Sequence, residues 1–246
     1  MVPKIIAHRG HSHKYPENTM IAFKKAVELG ADGFEFDVHF TKDKNVVVHH
    51  YYVLGHTDNG EGYIFEKDSS YLKSLDCGSW FGSDFKDEKM PFLEEVLDVF
   101  GASTMYEIEL KDFGREFVDS VLHTVREKNL LANVQFTSYQ YPLLSYLKKQ
   151  EPAAIVGLIA QPMPEWMGHK IARELIKSSL IEGIVDVSHC PIDVYDQTFA
   201  DDLRAMGLKV HAGLCDTKEQ LQKAMSLQVD ELTTNNLELA LRVLKG

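Results

Sequence analysis

The sequence predicts a (β/α)8 barrel, and three observations point to it. Short β-rich runs alternate with amphipathic helical patterns along nearly the whole chain. The alternation repeats as eight strand–helix units. The chain has 246 residues, close to the roughly 250 that such barrels use as one unit. A doubly wound open sheet, the nearest competitor, needs fewer strands and usually a glycine-rich phosphate loop after the first. Neither GxGxxG nor GxxxxGK followed by Ser or Thr occurs here.

In chain order, the predicted strands are KIIAH (4–8), GFEFDVHF (33–40), TMYEIEL (104–110), NVQFTS (133–138), AIVGLIA (154–160), GIVDVS (183–188), KVHAGL (209–214) and ELTT (231–234). They read as apolar almost throughout, as strands covered on both faces should. Helices are predicted over 19–29, 92–100, 117–128, 143–149, 170–178, 196–206, 219–226 and 238–245. In the first of these, Ile21, Phe23, Ala26, Val27 and Leu29 recur at helical spacing. Gly30, Gly101 and Gly207 fall where helices should stop. One run breaks the rhythm. VVVHH (46–50) follows the second strand after only TKDKN, which predicts a hairpin. Residues 51–91, rich in Gly, aromatics and acids, then predict an irregular insertion within a single domain spanning 1–246. The aromatics Tyr51, Tyr52, Tyr63, Phe65, Trp80 and Phe81 are expected to pack the insertion's own core.

The net charge of −11, with no offsetting Lys/Arg cluster, argues against a nucleic-acid partner. No apolar run approaches the roughly 18 residues needed to span a bilayer, and the N-terminus is no secretory signal, so a cytoplasmic protein without a transmembrane segment is expected. Cys77, Cys190 and Cys215 are far apart and odd in number, so they read as ordinary thiols.

Chemistry in such barrels sits at the C-terminal strand ends. The first predicted strand ends in His8-Arg9, and the hairpin ends in His49-His50. Glu35 and Asp37 are spaced i, i+2 on the second strand, which puts both carboxylates on one side. With Glu109 of the next βα unit they make three oxygen ligands for a hard divalent ion, Mg²⁺ or Ca²⁺. His8 and His49 each end an apolar strand and are suited to act as an acid/base pair. Arg9 and Lys111 either pair with the acids or hold a phosphate. Glu17 reads equally as an acid near a helix cap and as a site residue. His11, His13, His39, His123 and His169 read as structural or surface groups.

These residues resemble the glycerophosphodiester phosphodiesterase family. His8-Arg9-Gly10 and Pro16-Glu17-Asn18-Thr19 match its HRG-x5-PENT, and Glu35 and Asp37 match its E-x-D. VVVHH resembles its V-V-x-H-D, HTDNGEG its R-T-T-N-G-x-G, IELK its I-E-x-K, and FTSY its serine motif on the fourth strand. The resemblance is dense over 4–62 and 104–140 and thin beyond.

The resemblance implies a TIM barrel that hydrolyses glycerophosphodiesters, small-molecule substrates, to glycerol 3-phosphate and an alcohol with a divalent metal. Carried over by position, His8 and His49 are its acid/base pair. Glu35, Asp37 and Glu109 are its metal ligands, while Arg9, Glu17 and Lys111 contact substrate. The nucleophile is a water or the substrate's own glycerol 2-hydroxyl. His50 stands where the family usually has Asp, His56 where it often has Arg, Gly213 in place of a frequent Trp, and TTNN (233–236) in place of T-D-x-P. The small Gly213 and the uncharged Asn235 suggest a roomy pocket with broad alcohol tolerance. The competing readings are a lysophospholipase D or sphingomyelinase D type activity and a non-catalytic phosphodiester-binding barrel.

Overall fold

The computed structural model describes residues 2–161, 164 and 166–246. Among the described residues there are nine strands: β1 (Lys4–Ala7), β2 (Gly33–Phe40), β3 (Val46–Val48), β4 (Met105–Leu110), β5 (Val134–Ser138), β6 (Ile155–Ile159), β7 (Val187–Pro191), β8 (Lys209–Gly213) and β9 (Glu231–Thr234). Eight pair in parallel as a closed ring, in the order β1, β2, β4, β5, β6, β7, β8, β9 and back to β1. This is a TIM barrel. β3 lies outside the ring. β1 occupies one edge of β2 only at Gly33 and Phe34, and antiparallel β3 takes the vacant upper part of that edge at Val38–Phe40. The short loop that predicted a hairpin thus continues an edge that β1 is too short to fill.

The helices are α1 (Met20–Leu29), α2 (Ser69–Ser74), α3 (Leu93–Phe100), α4 (Arg115–Glu127), α5 (Tyr141–Gln150), α6 (His169–Gly183), α7 (Gln197–Ala205), α8 (Lys218–Ser226) and α9 (Leu237–Leu244). α1 shows why they form where they do. Thr19 caps its N-terminus by accepting from Ala22 N–H, and Gly30, in the left-handed region at φ 95°, ends it. Its buried face carries Ala22, Phe23 and Ala26, and Phe23 stacks on Phe34 of β2 at 4.5 Å. Burying each such ring contributes about 1.5–3 kcal/mol.

Two expectations about the strands change. All eight residues of β2 are buried, but they alternate in kind. Phe34, Phe36, Val38 and Phe40 join the layer beneath the helices, whereas Glu35, Asp37 and His39 are buried polar groups. β4 repeats this with Tyr106, Ile108 and Leu110 against Glu107 and Glu109. The barrel lumen on this side is therefore polar, and the strands are not apolar throughout. Second, the strand expected at 183–188 lies at Val187–Pro191. α6 runs on through Gly183, and Ile184 (φ 51°) ends it in the left-handed region. The β-branched residues Ile184, Val185 and Val187 imitate a strand locally, but pairing with β8 sets the actual register.

The segment after β3 has its own small core of Val47, Leu54, Ile64, Leu72, Leu75, Cys77, Met90 and Phe92. Of the aromatics expected there, Tyr52, Tyr63, Phe65 and Trp80 are instead exposed. The three cysteines are free and buried, and burial pushes the Cys77 thiol up to about 12.

The loop after β1 presses on α1 at Gly10 (φ 81°), where a Cβ would stand 2.6 Å from the Ala22 carbonyl carbon. Gly10→Ala combines an unfavourable φ with a backbone clash and should cost about 2–4 kcal/mol. Denaturant unfolding measures this, and a loss below about 1 kcal/mol would mean that the loop yields easily.

Candidate active site

β1 ends at Ala7, and His8 and Arg9 leave it in a tight loop. Arg9 (φ 55°) and Asn18 (φ 56°) both adopt left-handed backbone, a conformation that concentrates at functional sites. Its effect here is concrete. The Arg9 N–H donates to Glu35 Oε2 at 3.0 Å, and the Asn18 amide donates to Asp37 Oδ2 at 2.8 Å. The loop is thereby tied to two carboxylates of the next strand.

β2 and β4 are in register with Glu35 opposite Glu107 and Asp37 opposite Glu109. Alternation turns these pairs into the lumen. Oxygens of Glu35, Asp37 and Glu109 come within 4.8 Å of one another. Lys111, just past β4, places Nζ 2.9 Å from Asp37 Oδ1 and 2.5 Å from Glu109 Oε1. Arg9 Nε stands 3.2 Å from Asp37 Oδ2, and its Nη1 stands 2.9 Å from Glu17 Oε1. Glu17 thus holds the guanidinium rather than capping a helix.

The charges do not balance within this group. Burial and Asp37 push Glu35 well above the usual carboxylate range, with Arg9 opposing. Burial and Asp37 likewise raise Glu109 to about 7. Burial would raise Asp37 too, but Lys111 and Arg9 overcome it and hold that carboxyl well below its ordinary value. Burial opposes the charge on Lys111 and Arg9, and the acids, Asp37 foremost, hold both above their ordinary values. Two of the three carboxyls resist ionising for want of positive charge, and Glu35 Oε1 is buried without a partner. A hard divalent cation would supply that charge, and an all-oxygen donor set fits one.

The structure brings His8 to the cluster, with Nε2 3.8 Å from Glu35 Oε2. Its other nitrogen, Nδ1, is 2.7 Å from Asn235 Oδ1. Asn235 in turn donates from Nδ2 and from its backbone N–H to Asp216, both at 2.7 Å. This chain assigns the proton to Nδ1 and leaves the Nε2 lone pair facing the site. Burial, aided by Arg9, lowers His8 to about 4. Asn235 is therefore an orienter of His8, not a lost charge in an alcohol pocket. Asn235→Leu should lower kcat about 5- to 10-fold with little change in KM, the worth of one neutral hydrogen bond. An unchanged kcat would remove the relay.

His49 does not face the cluster. Its Nδ1 lies against the Tyr51 backbone at 2.9 Å, and its Nε2 lies 3.1 Å from both Asp58 Oδ2 and Thr57 Oγ1. Both ring nitrogens are thus committed to the segment after β3. The neighbouring His50 is the one that meets the charges of the cluster. Its Nδ1 is buried without a partner. Burial lowers it to about 3, and the charges acting on it are Asp37, Arg9, Lys111 and His8. A signal for this existed in the sequence: V-V-x-H fits Val47-Val48-His49-His50 as well as Val46–His49, and Tyr51 then stands in the Asp position. His39, read as structural or surface, is buried and bonded to Asp112 at 2.9 Å. No local pattern marks Asn235 as an orienter of His8, Asn18 as a carboxylate partner, or His189 and His211 as lumenal.

A closed parallel barrel with carboxylates, cations and imidazoles gathered at its C-terminal mouth defines a phosphoric ester hydrolase of the TIM-barrel class. The chain belongs to the glycerophosphoryl diester phosphodiesterase family, whose model matches residues 8–239, and it is a phosphoric diester hydrolase. It is 30% identical to a glycerophosphodiester phosphodiesterase of Caldanaerobacter subterraneus subsp. tengcongensis, over 98% of this chain and 97% of that protein. In fold it resembles an Oleispira antarctica phosphodiesterase solved in complex with the product sn-glycerol-3-phosphate, with TM-score 0.87, 24% identity, and 100% and 98% of the two chains covered. It also resembles a glycerophosphodiester phosphodiesterase of Agrobacterium tumefaciens, with TM-score 0.84, 23% identity, and 98% and 100% covered. Among the described residues, no helix is long and apolar enough to cross a membrane.

Proposed function

We propose that this chain hydrolyses glycerophosphodiesters to sn-glycerol 3-phosphate and an alcohol, with a divalent cation, Mg²⁺ or Ca²⁺, held by Glu35, Asp37 and Glu109. The observation that carries the reading is the convergence of these three buried carboxylates beside Arg9 and Lys111, with His8 and His50 at the same mouth. The names of the relatives support the substrate class. When bound, the cation supplies Lewis-acid stabilisation of the phosphate's developing charge.

The remaining chemistry belongs to the side chains. Arg9 and Lys111 attract the phosphate, and Arg9 is preorganised by Glu17 and Asp37. Since its Nδ1 is committed to Asn235, His8 uses Nε2 to remove the proton of the attacking group, a water or the glycerol 2-hydroxyl. In the second case a water then opens the cyclic phosphate to glycerol 3-phosphate. As the phosphorus–oxygen bond to the alcohol breaks, His50 delivers a proton to the departing oxygen. Burial, aided by Arg9 and Lys111, disfavours the charge on His50, and an arriving phosphate offsets those two cations and lets the ring take up the proton it delivers. His8 and His50, rather than His8 and His49, form the pair.

The test is turnover of glycerophosphocholine by the purified protein, read as sn-glycerol 3-phosphate and choline released. Activity should require a divalent cation and vanish in excess chelator. Binding of the diester without any release of choline would leave a phosphodiester-binding barrel and reject hydrolysis.

A further inference from the structure

The lumen holds a second buried group that the reaction above does not use: Glu107 of β4, His189 of β7, His211 of β8 and Glu231 of β9. His189 and His211 are paired in register, and their rings stack at 3.9 Å, 13° from parallel. His211 is fully buried, with Nε2 2.6 Å from Thr233 Oγ1 and Nδ1 3.5 Å from Glu231 Oε2. Burial opposes its charge, but Glu107 and Glu231 outweigh that and raise its pKa. Burial lowers His189, aided by His211. Of the stacked pair, His211 is the ring whose surroundings favour the charged form, and His189 the one held toward neutrality.

Atoms of Glu107, His189 and His211 lie within 4.8 Å of one another, a spacing that a metal could bridge. The ring planes argue against one. Two nearly parallel stacked imidazoles cannot both aim an in-plane lone pair at a single ion. The arrangement instead resembles an oriented imidazole. His189 Nδ1 stands 2.9 Å from Glu107 Oε1, out of line for a hydrogen bond, since neither atom makes one, but the adjacent carboxylate favours the ring proton on Nδ1 and so a lone pair on Nε2. Nε2 has no hydrogen-bond partner among the described residues. Its ring edge faces Gly213, where a Cβ would stand 3.0 Å from Nε2 and 3.2 Å from Cδ2. Gly213 is two residues beyond His211 on β8, so its position opens on the same face of the strand. Gly213 and His189 both line the cavity that contains His8, Glu35 and Glu109. Around them Ile159, Ala160, Pro191 and Leu214 present apolar side chains. The space expected to lie vacant at Gly213 is thus the open side of His189.

We infer that His189 determines specificity: its Nε2, left uncovered by Gly213, accepts a hydrogen bond from a free hydroxyl on the departing alcohol. The inference rests on the proposed hydrolysis and names the alcohols that site favours. With Ile159, Ala160, Pro191 and Leu214 around it, this acceptor is satisfied by a polyol head group such as glycerol, whereas choline brings no donor. This replaces the expectation of broad tolerance.

The experiment measures kcat/KM for glycerophosphoglycerol and glycerophosphocholine with saturating divalent cation, in the wild-type protein, His189→Leu and Gly213→Ala. Gly213→Ala keeps the imidazole and covers Nε2, with the ring giving way by a few tenths of an ångström, so the test survives if His189→Leu fails to fold. The ratio of glycerophosphoglycerol to glycerophosphocholine should fall about 5- to 10-fold in both variants, mainly through KM. An unchanged ratio overturns the inference and leaves the proposed hydrolysis intact. Calorimetry of both diesters with the His50→Ala protein separates the two ideas. Absence of binding together with absence of turnover overturns the reading of the whole site. A Zn²⁺ titration at saturating Mg²⁺ completes the set. A second equivalent bound, and lost in His189→Leu, makes the trio a metal site and overturns the hydrogen-bonding role.

Discussion

His50→Ala should lower kcat by at least about 10²-fold, the low end for an acid/base group, while His49→Ala keeps most of its turnover. The two histidines are adjacent, yet their surroundings give them different tasks. His50 has a buried, unpartnered Nδ1 and feels Asp37, Arg9, Lys111 and His8. His49 is bonded on both ring nitrogens and pairs with Asp58, whose side chain is fully buried. Removing His49 strips one partner from that carboxylate, which retains the N–H groups of Gly55 and Gly60 at 3.0 and 2.7 Å. Its expected cost is therefore in stability, about 1–3 kcal/mol, read by thermal or denaturant unfolding. His8→Ala should match His50→Ala in kcat. The double variant should lose much less than the product of the two, because paired groups act as a unit. If His49→Ala instead loses 10²-fold at unchanged stability, the assignment of the pair is reversed.

Glu35→Gln should raise the divalent cation concentration needed for half-maximal activity by at least about 10²-fold. Loss of a mere supporting residue around a metal already costs 10- to 100-fold, and a direct ligand should cost no less. Glu35 is the informative position because its Oε1 has no protein partner, whereas Asp37 also anchors Arg9, Lys111 and Asn18. Asp37→Asn would mix cation binding with loss of the loop after β1. In Glu35→Gln the activity at saturating cation should recover in large part, and direct cation titration by calorimetry should show the same shift as the assay. Full activity of the wild-type protein in excess chelator would sink the cation's role. A Glu35→Gln protein with unchanged cation affinity would remove Glu35 from the shell.

The sequence alone determined the features that depend on near neighbours along the chain. β2 at 33–40 and β9 at 231–234 were legible to the residue, because strand character is written in consecutive side chains. Gly30 marked the end of α1 because only a residue free of a Cβ enters the left-handed region without strain. The three carboxylates were legible for a similar reason. A period of two puts Glu35 and Asp37 on one face, and parallel pairing of adjacent units sets Glu109 beside Asp37. Tertiary structure decided what meets across the lumen. β7 lies four residues later than its local composition suggests, since pairing with β8 outweighs the β-branched run before it, and that shift carries His189 onto a strand opposite His211. Asn235 reaches His8 only because closure of the ring sets β9 beside β1, and their separation of 227 positions hides the contact from any local pattern. The choice between His49 and His50 was likewise tertiary. β3 ends at Val48, so alternation no longer says which ring turns inward, and the bonds offered by Asp58 and Tyr51 draw His49 away and leave His50 to the site.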